Sequence, residues 1–136
     1  MQTILISGGS GLIGSDLKTY FTQLGFSVRI LTRKPTQKDK NAFYWNLEDK
    51  TIDPDAFENV DIVINLAGSS IIGGRWTKSR KKELTHSRVN ATKLLIDTIN
   101  NKKLPIKHFI QASAMGYYGN SNESKLTEES PKGNDF

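Results

Sequence analysis

The segment Ile4-Leu5-Ile6-Ser7-Gly8-Gly9-Ser10-Gly11-Leu12-Ile13-Gly14 decides how this chain reads. Three consecutive apolar residues suit a short strand buried on both faces. The run leads into G-x-x-G-x-x-G, formed by Gly8, Gly11 and Gly14. Ile13, Leu17, Tyr20 and Leu24 then recur at intervals of four, three and four residues, which predicts a helix with one inward stripe. Gly25 suits the position just past the helix end, because glycine enters the left-handed region at little cost. A strand, a glycine turn and a helix start in direct succession are the setting that a dinucleotide fingerprint requires. There Gly8 would make the tight turn, Gly11 would let the backbone approach a pyrophosphate, and Gly14 would let the helix pack closely. The unpaired N–H groups and the dipole of the helix start favour an anion. The alternative is a glycine-rich turn that binds nothing.

Outward from this segment, apolar runs alternate with helical stripes. Val28 to Thr32 reads as a second strand, Pro35 to Lys40 as a loop, and Phe43-Tyr44-Trp45 as a weaker third strand. Asp53-Pro54 suits a helix start, with Asp as the cap and Pro in the first helical position. Asp61 to Ala67 is a fourth strand, Thr77 to Asn100 one long helix, and Lys107 to Ser113 a fifth strand. After Gly119 the chain is polar and irregular. Such alternation implies right-handed βαβ units. The fold class is therefore α/β, a Rossmann-type doubly wound parallel sheet, with residues 1–136 as one dinucleotide-binding domain.

Composition excludes several other functions. The 136 residues are 36% hydrophobic and contain no cysteine, so disulfides, thiolate-bound metals and thiol catalysis are ruled out. His86 and His108 are too few for a His-rich centre, H-E-x-x-H is absent, and no metal is expected. Both histidines read as incidental. No apolar run approaches the ~18 residues of a membrane span. The N-terminus lacks the basic start of a signal peptide, so a cytoplasmic location is expected and a membrane partner is not. The net charge of +5 comes from 19 basic against 14 acidic residues. The basic residues form no long run and no aromatic interleaving, so they read as solvated faces and not as a nucleic-acid surface.

The second strand bears on which dinucleotide is bound. An NAD site usually carries an acidic residue about 20 positions beyond the glycines to hold the ribose hydroxyls. Here that place holds Thr32, followed by Arg33 and Lys34. A guanidinium can grip a 2′-phosphate with two hydrogen bonds, so NADP(H) is expected in preference to NAD(H), with Arg33 as the discriminator. Alternatively, Arg33 and Lys34 belong to a solvated loop.

The glycine spacing resembles that of the short-chain dehydrogenase/reductase superfamily, particularly its extended, epimerase-like branch. Asn65-Leu66-Ala67-Gly68 resembles the Asn-Asn-Ala-Gly element of that superfamily. Arg75-Trp76-Thr77, Arg80-Lys81, Ser87-Arg88-Val89 and Thr92 resemble the fourth helix of one atypical subgroup, the YfcH-like epimerase-family proteins. Ala112-Ser113-Ala114-Met115-Gly116-Tyr117-Tyr118-Gly119 resembles the fifth-strand signature of the same subgroup. The resemblance implies that Gly8, Ser10, Gly11, Leu12, Ile13 and Gly14 cradle the pyrophosphate. It places Thr32 with Arg33 at the adenosine phosphate and Asn46-Leu47 at the adenine. Leu66, Ala67, Gly68 and Ser69 would run along the nicotinamide half. It also implies that the chain is the N-terminal portion of a longer protein, whose substrate-binding part lies beyond residue 136.

Catalytic residues transfer less well. The superfamily uses a Ser/Thr after the fifth strand and a Tyr-x-x-x-Lys on the next helix as its proton relay. No Tyr-x-x-x-Lys occurs in these 136 residues. Ser113 stands one residue before the usual serine position, and Arg88 holds a helix position usually occupied by asparagine. Arg88 also falls on the stripe Leu84, Arg88, Ala91, Leu95 and Thr98, which predicts an inward-facing charge in need of an anion. That anion is either a structural carboxylate or a bound group, and Arg80 could join it. Tyr117 and Tyr118 read as core aromatics or as pocket walls. The functional expectation is the NADP(H)-binding portion of an epimerase- or reductase-like oxidoreductase acting on an unassigned small molecule, such as a nucleotide sugar or other carbonyl compound. The alternative is a non-catalytic NADP(H)-binding regulatory or sensor protein. A homodimer is compatible with either.

Overall fold

The computed structural model describes residues 1–72, 74–119 and 125–134. In chain order its elements are β1 (Thr3–Ser7), α1 (Leu12–Gln23), β2 (Ser27–Thr32), β3 (Ala42–Asn46), β4 (Thr51–Ile52), β5 (Ile62–Asn65), α2 (Lys78–Asn101) and β6 (His108–Gln111). Single 3-10 turns occupy Pro54–Phe57 and Met115–Tyr118. β1 is buried along its whole length because it lies at the centre of the sheet. It pairs in parallel with β2, Ile4 opposite Val28, and with β5, Ile4 opposite Ile62. The six-stranded order is β4-β3-β2-β1-β5-β6, and the β3–β4 pair alone is antiparallel.

Alternate residues of each strand feed two separate cores, as strand geometry requires. Ile4, Ile6, Val28, Ile30 and Ile64 form one, covered by Leu17 and Phe21 of α1. Leu5, Leu31 and Val63 form the other, together with Trp45, Phe57 and, from α2, Ala91 and Leu95. The sheet is thus wound on both faces, the Rossmann-type architecture expected from the alternation.

The first helix ends where its sequence signals. Gly25 has φ +85°. Its N–H donates to Thr22 O, and the Phe26 N–H to Phe21 O at 3.0 Å, a Schellman closure. The Phe21 and Phe26 rings meet edge-on across it, 5.6 Å apart. Thr77 caps α2 by accepting from the Arg80 N–H at 3.2 Å. At the N-terminal edge of the sheet, the Asp61 carboxylate accepts from the Thr3 N–H at 3.0 Å and pairs with Lys107 at 2.8 Å. That arrangement clips β1, β5 and the approach to β6 together.

Four expectations change. The inward line of α1 is Gly14, Leu17 and Phe21, whereas Ile13, Tyr20 and Leu24 are exposed. Each residue turns the helix by about 100°, so the stripe is rotated by roughly one residue. Asp53 does accept from the Asp55 N–H, but the helix it starts is only the 3-10 turn. The fifth predicted strand stops at Gln111, before Ser113. The β3–β4 hairpin, with Lys50 at φ +52°, is a pairing that the apolar pattern did not signal. No helix among the described residues is long and apolar enough to cross a membrane.

Candidate functional site

The chain leaves β1 through α1 toward β2 on one side, and returns to β5 on the other. Ligands of such sheets bind outside the carboxyl ends of the strands at this reversal. A cleft of 980 Å³ opens there, at the upper end of the roughly 300–1,000 Å³ usual for ligand pockets. Its floor is the glycine turn. Gly8 has φ +73°, and the Gly11 N–H donates back to Gly8 O at 3.0 Å. A Cβ on Gly14 would lie 2.4 Å from Gly8 O, so α1 starts directly against the turn. Gly9, to which the motif assigned no role, clears the Ile30 side chain, which a Cβ would meet at 2.4 Å. No side chain caps the start of α1, and its first turn carries no acidic residue. An anion can therefore take the capping role, and this bare helix start is what fits the turn to a pyrophosphate.

The wall beside the turn, Leu66 to Ser69, is set by a buried polar network. Asn65 is fully buried, and its Oδ1 accepts from the Ser7 hydroxyl and, at 3.2 Å, from the Ala67 N–H. Its Nδ2 donates to Thr92 Oγ1 at 3.1 Å and Gln111 Oε1 at 2.8 Å. One amide thus ties the ends of β1, β5 and β6 to α2 and fixes where the wall begins. The loop is also fastened to α2 from outside. The Ser69 N–H donates to Ser87 Oγ at 2.9 Å, and Arg80 and Arg88 donate to the carbonyls of Ser70 and Ser69.

Thr32, Arg33 and Lys34 form the rim at the end of β2, and neither cation has an ion pair among the described residues. Asn46 and Leu47 line the cleft at the end of β3. The Asn46 amide, however, is committed to its own hairpin, donating to Asp49 at 2.7 Å and accepting from the Glu48 N–H at 2.9 Å. Ser10, Gly11 and the stretch Leu66, Ala67, Gly68 and Ser69 complete the part predicted from sequence. Sequence reasoning missed the wall supplied by α2: Glu83, His86, Ser87 and Asn90. Their spacing of three, four and seven from Glu83 places them on one helix face, which was the available signal. His86 and His108 are both exposed, as expected of surface residues, and His86 borders the cleft. Arg80 pairs with Glu83 at 2.7 Å. That contact, followed by the Ser69 hydroxyl, holds the Glu83 carboxyl below its ordinary range.

A second cleft of 370 Å³ shares Gly8, Gly11, Leu66, Gly68 and Ser69 with the first. It adds Leu12, Ile13 and Gly14 from the start of α1, Ile71 and Ile72 from the loop, and Arg88. Arg88 is not buried as its stripe predicted. Its guanidinium donates to Leu84 O at 3.0 Å and Ser69 O at 3.2 Å, and it has no carboxylate partner among the described residues. Arg80 does not join it, being spent on Glu83 and Ser70 O. Ser113 is exposed and lines neither cleft. Tyr117 and Tyr118 pack edge to face at 5.1 Å, with Tyr117 exposed, so the pair is not core.

Comparison with known proteins agrees with this geometry. The model of the NAD-dependent epimerase/dehydratase family matches residues 4–135. The epimerase family protein YfhF of Bacillus subtilis is 39% identical over 132 residues, covering 95% of this chain and 43% of that protein. The epimerase family protein ML0860 of Mycobacterium leprae is 36% identical, covering 98% of this chain and 42% of that protein. This chain thus spans less than half the length of these relatives. Among solved structures, the human epimerase family protein SDR39U1 with NADPH superimposes with a TM-score of 0.83 at 29% identity, over 98% of this chain and 44% of that one. The nucleoside-diphosphate sugar epimerase of Corynebacterium glutamicum gives 0.78 at 29% identity, over 99% of this chain and 27% of that one. A strand–glycine turn–helix at the sheet reversal, a matching family model and these relatives lead to one statement: the chain belongs to the NAD-dependent epimerase/dehydratase family and carries its NAD(P)-binding Rossmann-type fold.

Proposed function

We propose that this chain binds NADP(H) in preference to NAD(H), as the cofactor-binding portion of an epimerase- or reductase-type oxidoreductase that acts on a small carbonyl compound or nucleotide sugar. The observation that carries the reading is the rim of the first cleft. Arg33 and Lys34 follow β2 with no ion pair among the described residues, where an NAD site would place a carboxylate. The NADPH in the human relative's structure supports the same preference.

A nicotinamide cofactor supplies hydride chemistry when bound. The residues of this chain supply the binding. The turn Gly8 to Gly11 and the uncapped start of α1 would receive the diphosphate. Leu47 would give an apolar wall for the adenine, and Leu66 to Ser69 would line the path toward the second cleft. Because the Asn46 amide is spent on its hairpin, adenine contact there is assigned to Leu47 and to the α2 face.

The test is titration with NADPH, NADH and duplex DNA, for the parent chain and Arg33→Asp. A hydrogen bond to a charged group contributes roughly 1.5–3 kcal/mol, or about 10- to 100-fold in affinity. NADPH should bind at least about tenfold tighter than NADH, the substitution should abolish or reverse that ratio, and DNA should not compete. An unchanged ratio would remove Arg33 from the assignment.

One observation favours a regulatory reading of the same site. Ser113, the residue nearest the superfamily's serine position, is exposed and lines neither cleft. A nucleotide-bound protein that never exchanges hydride with any carbonyl substrate, assayed at full length, would be a sensor.

A further inference from the structure

The loop between β2 and β3 carries Arg33 and Lys34 to the rim of the first cleft. From Arg33 to Lys40 every residue is exposed except Asp39. Inside the loop the Asp39 N–H donates to Thr36 O at 3.1 Å, and the Lys34 N–H to Thr32 Oγ1 at 3.3 Å. Among the described residues, one side-chain hydrogen bond runs from this loop to a helix. Lys18 Nζ of α1 donates to Asp39 Oδ2 at 2.5 Å, with both side chains half-buried.

Both partners of this pair are held from behind. Asp39 Oδ1 accepts from the Asn41 N–H at 3.1 Å, and the Asp39 carbonyl accepts from the Ala42 N–H at 3.0 Å where β3 begins. The Lys18 hydrogen bond, outweighing partial burial and helped by the Asn41 N–H, holds the Asp39 carboxyl below its ordinary range. Lys18 stands on α1, whose start is fitted against the glycine turn through Gly14. The pair thus joins the rim to the helix that begins at the diphosphate cradle, across 21 residues of sequence. A half-exposed ion pair adds little to stability, so its consequence lies in where it holds the loop. A loop tied before the ligand arrives loses less freedom on binding than a loose one.

We infer that Lys18 and Asp39 are positioning residues for cofactor selection: their pair ties the β2–β3 loop to α1, so that Arg33 and Lys34 stand ready for the 2′-phosphate that distinguishes NADPH from NADH. This rests on the NADP(H) reading. The competing account is a field effect, in which the two charges act on the 2′-phosphate through space. The two accounts differ in sign. By field alone, removing the Asp39 charge strengthens phosphate binding and removing the Lys18 charge weakens it. Loss of the tether weakens it in both cases.

Calorimetry measures NADPH and NADH affinities for the 136-residue chain, for Lys18→Met, for Asp39→Asn and for the exchanged pair, Lys18→Glu with Asp39→Lys. Each single substitution should lower the NADPH-to-NADH affinity ratio about three- to tenfold, the scale of ordering a side chain on binding. NADH lacks the 2′-phosphate, so its affinity should move by less than about twofold, and the exchanged pair should return the ratio to within about twofold of the parent. Circular dichroism and urea midpoints establish that all variants fold, as a half-exposed pair allows. Opposite shifts in the two single variants overturn the inference in favour of the field effect. An equal fall in NADH affinity overturns it in favour of a general structural role. So does a ratio that the single substitutions leave unchanged or that the exchanged pair fails to recover. A parent without NADPH preference defeats the cofactor reading and this inference together. A preference that Arg33→Asp abolishes but that survives both single substitutions defeats this inference alone.

Discussion

Gly14→Ala tests whether the close approach of α1 to the glycine turn builds the site. The new Cβ would stand 2.4 Å from Gly8 O, 2.6 Å from Gly9 Cα and 3.0 Å from Gly8 C, where ordinary contact begins at 3.4 Å. Relief thus requires a shift of 3.4 − 2.4 = 1.0 Å between helix and turn, both of them backbone. Overpacking of this kind costs roughly 1–3 kcal/mol, and alanine's better helix propensity returns at most about 1 kcal/mol. A net loss of about 1–2 kcal/mol is expected in urea unfolding, read from the midpoint at constant slope. NADPH affinity, followed by the nucleotide's fluorescence, should fall at least about tenfold, because the displaced backbone is the proposed diphosphate cradle. Two controls separate sterics from other effects. Gly116→Ala meets nothing within 4 Å and lacks a left-handed φ, so it should stay within about 0.5 kcal/mol of the parent. Gly25→Ala has space but sits at φ +85°, and should lose about 1–2 kcal/mol with nucleotide affinity intact. A Gly14→Ala protein as stable as the parent and binding NADPH equally well would refute the reasoning.

Two further outcomes follow from the polar network and the sheet edge. Asn65→Leu strands the buried Ser7 hydroxyl and the half-buried Ala67 N–H at about 1–3 kcal/mol per unsatisfied group, while exposed Gln111 keeps the Thr92 hydroxyl as its donor. It should cost about 3 kcal/mol or more in urea unfolding, and a loss under about 1 kcal/mol would deny the network its role. The Asp61 carboxyl is held below its ordinary 3.8, first by Lys107 and then by the Thr3 N–H. Its contribution is present above the unfolded value and is lost as pH falls through the lower folded one. Acid unfolding of Asp61→Asn should accordingly be shallower below about pH 4 than that of the parent, and identical acid limbs would show that the clip contributes nothing.

Local signals carried over faithfully wherever one element determines the outcome. The run Ile4-Leu5-Ile6 became the central strand, Gly25 closed α1, and the long helix expected over Thr77 to Asn100 formed as Lys78–Asn101. Each depends on backbone conformation or burial that a few neighbouring residues decide. The β3–β4 hairpin was invisible because a two-residue strand has no periodicity to detect. The stripe of α1 was misplaced because Ile13, Tyr20 and Leu24 are as apolar as Phe21, and periodicity alone cannot say which apolar line faces the sheet. The contact of Gly14 with the turn decides that.

Sequence by itself determined the α/β class, the strand–glycine turn–helix succession at Gly8 to Gly14, and the places of Thr32 and Asn46 at the ends of their strands. These follow from chain-local patterns and the few topologies such patterns allow. Only the tertiary structure decided that α2 walls the cleft with Glu83, His86, Ser87 and Asn90, and that Asn46 is spent on its hairpin. It likewise showed Arg80 neutralised and Arg88 not. A charge's partner depends on how separate elements approach in space, and residues 68 and 88 meet through a packing distance that no sequence spacing encodes.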